Sequence, residues 1–105
     1  MRLRPEDQQA ITQAAREVFA PGTAVLVFGS RTDDRRRGGD VDLLIETPAP
    51  MPPAERVARR TRFIAKLYRS LDEQRIDAVI TTRGQPDARP VVALARKTGI
   101  LLAQL

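Results

Sequence analysis

The chain has no cysteine and no histidine among its 105 residues. The first absence excludes disulfides and thiolate metal sites. The second excludes Ser-His and Cys-His catalysis and zinc held by imidazole. The acid–base and metal chemistry that remains is carboxylate chemistry. Aromatic residues are scarce, with no Trp, one Tyr and three Phe, so a platform on which RNA bases stack is poorly supported. No apolar run approaches the roughly 20 residues that cross a bilayer, and the N-terminus lacks a signal-peptide pattern. The expectation is a cytoplasmic protein. There is no internal repeat, and the length suits a single domain, residues 1–105, with one modest core.

What is abundant is arginine. Eighteen basic residues stand against 13 acidic ones for a formal charge of +5, and 16 of the 18 are arginine. A GC-rich genome is the ordinary source of such a bias. Affinity for polyanions, such as triphosphate, RNA or an acidic partner, is its functional counterpart.

The chemistry concentrates in Ala24-Val-Leu-Val-Phe-Gly-Ser-Arg31 and Asp40-Val-Asp42-Leu-Leu-Ile45. Ala24 to Phe28 is a short apolar run bounded by turn residues, which suits a strand buried on both faces. Gly29 permits a sharp turn and a close approach to a ligand. Ser30 can begin a helical turn whose free N–H groups attract phosphate, and Arg31 adds a fixed positive charge beside them. In a strand, residues two apart share a face, so Asp40 and Asp42 project together while Val41, Leu43 and Ile45 pack on the other side. Paired carboxylates repel unless a cation sits between them. Mg²⁺ binds one or two carboxylates plus substrate phosphates. A third carboxylate, Asp77, lies in the strand-like run Arg75 to Thr81. Beside the first pair it can complete a two-metal site or accept a proton from an attacking hydroxyl.

The remaining chain supplies packing. Residues 5–20 predict a helix with Ile11, Ala14, Ala15, Val18 and Phe19 inward. Thr32 to Gly39 is a loop with the charge run Arg35–Arg37, which is a solvated surface or a contact to triphosphate, RNA or a protein acceptor. Asp33 and Asp34 are not expected to be ligands. Thr47 to Pro53 is a stiff, proline-rich connection. A second helix over 54–71 is expected to bury Val57, Thr61, Ile64, Tyr68 and Leu71, widened by Ala65 and Leu67, with Tyr68 in the core. A last helix runs from Pro90 to Lys97, with Gly99 after it. Ile100, Leu101, Leu102 and Leu105 form an apolar tail that tucks into the core or offers a docking surface. This order of elements is α/β. The pattern alone allows a parallel or a mixed sheet.

Gly29-Ser30, nine intervening residues, Asp40-x-Asp42 and a later strand acid at Asp77 resemble the pattern of the nucleotidyltransferase superfamily of DNA polymerase beta. Within it, Phe28-Gly-Ser-Arg31 and the small size most resemble the minimal nucleotidyltransferases, the MNT-domain proteins, over roughly residues 10–102. Two features depart from the pattern: Gly39 stands where Ser or Thr commonly precedes the first acid, and the intervening loop is unusually rich in arginine. The resemblance implies a DNA polymerase beta-like fold, a small mixed β-sheet flanked by helices. It implies Mg²⁺, as two ions, held by Asp40, Asp42 and Asp77, with ATP held at Gly29, Ser30 and Arg31. It also implies transfer of AMP to a tyrosine of a HEPN-type toxin, which would make the chain an antitoxin. Two other readings stand beside it: a binding module that neutralises its partner by contact alone, and a small-molecule enzyme resembling the aminoglycoside nucleotidyltransferases.

Overall fold

A computed structural model describes residues 3–29, 41–71 and 75–105 of the chain. Pro5 opens the first helix, α1 (Pro5–Val18), at a position where its missing N–H costs nothing. Glu6 and Asp7 complement the helix dipole there, and Asp7, although buried, is held by Arg4 Nε at 3.1 Å. The inward face is the expected one: Ile11, Ala14, Ala15 and Val18, followed by Phe19. Strand β1 (Ala24–Phe28) then enters the sheet.

Strand β2 (Val41–Thr47) pairs antiparallel with β1. Helix α2 (Pro53–Ser70) crosses over, so the next strand, β3 (Ile76–Thr82), lies parallel to β2. Helix α3 (Pro90–Thr98) follows, and the chain ends in β4 (Ile100–Gln104), antiparallel to β1. The order β3-β2-β1-β4 makes a mixed four-stranded sheet. No helix among the described residues is long and apolar enough to cross a membrane.

Strand alternation divides the sheet into two faces. Val25 and Val27, Val41, Leu43 and Ile45, and Ile76, Ala78 and Ile80 pack with α1 and α2 in the main core. Phe28 and Leu44 pack with Val92 and Ala95 of α3 in a second, smaller cluster on the opposite face. Helix α3 is also fastened by polar contacts. Arg96 donates to Glu46 Oε2 at 3.0 Å and to the Thr82 carbonyl at 3.0 Å. In the preceding loop, Asp87 accepts from Thr81 Oγ1 at 2.8 Å and from Arg89.

The expected burial of α2 is corrected. Helix α2 buries Phe63 and Leu67 rather than the stripe through Val57, Thr61 and Tyr68. Val57 is 64% exposed and Tyr68 53%. Ile64 and Leu71 still pack inward. The stripe through Phe63 fits the helical period equally well and inserts a ring against Phe19, with centroids 5.3 Å apart in an edge-to-face pair. Tyr68 therefore stands outside the core, its hydroxyl accepting a long hydrogen bond from the Ile76 amide. The apolar tail is the edge strand β4. Leu102, Ala103 and Leu105 pack against the core, while Ile100 and Leu101 face outward.

Phe63→Ala removes the largest fully buried side chain among the described residues and is expected to cost about 3–5 kcal/mol, read as a lower urea midpoint. The hydrogen bonds from Arg89, then from Thr81, hold the Asp87 carboxyl well below the usual aspartate range. A depressed folded-state pKa contributes stability that is complete above the unfolded value, about 4, and is lost as pH falls through the folded value. The Tm of the wild type should therefore fall more steeply below about pH 4 than that of Asp87→Asn. Parallel curves would mean that these bonds do not stabilise the fold.

Candidate active site

The site begins where β1 ends. The β1–β2 register sets Phe28 opposite Asp42, and Gly29 follows at φ +78°, in the left-handed region that other residues avoid. The half-buried Asp42 carboxylate leans over this turn. A Cβ at Gly29 would sit 2.5 Å from Asp42 Oδ2. Glycine is thus required here both for the backbone angle and for the space the carboxylate occupies.

The parallel register of β2 and β3 places Asp77 directly beside Asp42. Val41, Leu43, Ile76 and Ala78 are committed to the core under α1 and α2. The two acids therefore fall on the opposite face, which α3 covers at Phe28 and Leu44. The Asp77 side chain is 59% exposed. The structure thus brings together Gly29, Asp42 and Asp77. Ser30, Arg31 and Asp40, with Asp33, Asp34 and the Arg35–Arg37 run, lie outside the described residues.

One neighbour was not anticipated. Arg60, on α2, donates from Nη2 to Asp77 Oδ1 at 2.5 Å and from Nε to the Ala78 carbonyl at 2.7 Å. Oδ1 also accepts the Ala78 amide at 3.0 Å. The guanidinium thereby fixes Asp77 and offsets part of the repulsion between two carboxylates in register. Local sequence distinguishes Arg60 from the other arginines of α2 by nothing, because its partner is 17 residues away.

The donors are all carboxylate oxygens, the chemistry that suits a hard cation such as Mg²⁺. Among the described residues no group of three or more acidic side chains converges. Asp42, over a glycine turn that leaves its carboxylate room, and Asp77, in register beside it on the next strand, offer the donor type that such an ion takes.

Gly29→Ala is expected to destabilise the fold by about 1–3 kcal/mol, from left-handed strain and the clash with Asp42. In an Asp42→Ala background the penalty should shrink, since the oxygen it strikes is gone. Strict additivity in this double-mutant cycle would contradict the contact.

No protein-family model matches the chain, and no curated protein matches it. Solved structures do. A chain from a tri-AMPylated Shewanella oneidensis HEPN toxin in complex with MNT antitoxin matches at TM-score 0.60 and 17% identity, over 94% of this chain and 71% of the other. A toxin–antitoxin structure with AMP-PNP matches at TM-score 0.63 and 18% identity, over 93% and 73%. The MntA-HepT toxin–antitoxin matches at TM-score 0.61 and 15% identity, over 97% and 74%. At these identities the likeness establishes architecture alone: the chain shares the small mixed-sheet α/β fold of the chains it matches.

Proposed function

We propose that the chain is a Mg²⁺-dependent nucleotidyltransferase that moves AMP from ATP to a tyrosine hydroxyl of a HEPN-type toxin, and so acts as its antitoxin. The observation that carries this reading is the Asp42 carboxylate lying over the Gly29 turn with Asp77 in register beside it. Like folds in a toxin–antitoxin structure with AMP-PNP, and in a complex of an AMPylated HEPN toxin with an MNT antitoxin, support the choice of nucleotide and partner.

In this reading the turn at Gly29, with Ser30 and Arg31, holds the β- and γ-phosphates. Asp40, Asp42 and Asp77 hold the metal, whose chemistry, when bound, is to neutralise the triphosphate and the charge that develops at the α-phosphorus. The acceptor oxygen attacks the α-phosphorus in line. The new P–O bond forms as the bond to the β-phosphate bridging oxygen breaks, and pyrophosphate leaves. With Oδ1 of Asp77 engaged by Arg60, Oδ2 is the oxygen left to meet a cation or to take the hydroxyl proton. The chain's contribution is mostly positioning and fixed charge.

The test is transfer of label from α-labelled ATP, with Mg²⁺, to protein in a lysate of the native host. The wild type should label one discrete band. Asp42→Asn should lower transfer by at least about 100-fold with an unchanged far-UV circular dichroism spectrum. Near-normal turnover in that variant would remove the assignment.

A further inference from the structure

β3 is an edge of the sheet, and α2 runs beside it. Between them, next to Asp77, lies a basin of about 340 Å³ lined by Arg56, Val57, Arg60, Asp77, Val79 and Arg89. Two of its guanidiniums are pinned to the edge strand. Arg60 Nε takes the Ala78 carbonyl at 2.7 Å, and Arg89 Nη2 takes the Ile80 carbonyl at 2.6 Å. These carbonyls are thus occupied, which blocks addition of an extended strand at this position. The paired acids, Asp77 for Arg60 and Asp87 for Arg89, offset two of the three charges. Arg56, one helical turn before Arg60 and on the same side of α2, has no acidic partner among the described residues. Val57, 64% exposed, and the half-buried Val79 supply apolar surface between the charges.

We infer that this basin is the acceptor-side subsite. It takes an acidic segment of a protein substrate, with a carboxylate on Arg56 and apolar atoms on Val57 and Val79, so that the neighbouring hydroxyl is delivered beside Asp77. The inference rests on the transfer reading and names the chemistry of its protein substrate. Guanidiniums with a net surplus of one positive charge select carboxylates, through charge-assisted and bidentate hydrogen bonds. A small apolar floor without aromatic rings suits a peptide better than stacked bases.

The test uses the full chain and three fluorescent probes: a peptide with tyrosine flanked by glutamates, the same peptide with lysines, and a single-stranded RNA. Binding is read by anisotropy, and AMP-PNP affinity with Mg²⁺ is measured in parallel. The acidic peptide should bind and the basic one should not. Arg56→Glu should weaken the acidic peptide about tenfold and leave AMP-PNP affinity unchanged. Arg56→Gln should give a smaller loss, and circular dichroism should confirm that both variants fold. Equal binding of the two peptides, no binding of either, or an unaffected Arg56→Glu would overturn the inference. So would loss of AMP-PNP affinity in Arg56→Glu, which would put the basin in the nucleotide site. RNA binding that exceeds peptide binding and vanishes in Arg56→Glu would give the basin to nucleic acid instead. The two readings fail separately. Acidic-peptide binding without nucleotide transfer to any acceptor removes the transferase, whereas transfer indifferent to Arg56 removes the basin.

Discussion

The site depends on one close approach, that of the Asp42 carboxylate to the backbone of Gly29. A charged group can lie against a turn in this way only if the turn has no side chain and the backbone takes a positive φ. Both conditions are set at the end of β1, and the antiparallel register then brings Asp42 to that spot. The rest of the fold holds the register. Val41, Leu43 and Ile45 are locked into the main core. A slip of one residue would bury Asp42 and expose its neighbours, so the apolar pattern of β2 determines which way the acid faces.

Electrostatics sets the second constraint. A parallel crossover places Asp77 beside Asp42, and adjacent carboxylates are unfavourable without a cation. Arg60 supplies part of that charge from α2, anchored to both the carboxylate and the neighbouring backbone. Some of the arginine surplus therefore has assigned work. Arg60 and Arg89 cover carbonyls of the β3 edge, and Arg96 ties α3 to the sheet. The remaining positive charge beside Asp77, on Arg56, gives the site a side suited to an acidic acceptor.

Much of this was legible in the chain itself, because it was written locally. The apolar run 24–28 is β1 to the residue. The alternation around Asp42 and Asp77 separated the core face from the opposite face, since the period of a strand is visible in seven residues. Helix α2 misled because two stripes fit its period, and only packing against Phe19 selects the one through Phe63. That choice also puts Tyr68 on the surface. The tail could not be read as a strand from its own residues. Its partner is β1, more than 70 positions earlier, and the pairing carries a register irregularity between Val25 and Leu26. Arg60 was hidden for the same reason: a long-range contact leaves no local pattern.

In the proposed reading, Asp42 at the Gly29 turn and Asp77 beside it form one cation and triphosphate site. Crystals of the chain grown with Mn²⁺ and AMP-PNP test this directly through the anomalous signal of the metal. A Mn²⁺ peak is expected in coordination contact with Asp42, beside Asp77, with the triphosphate at the Gly29 turn. Nucleotide bound elsewhere, or a metal peak away from both carboxylates, would contradict it.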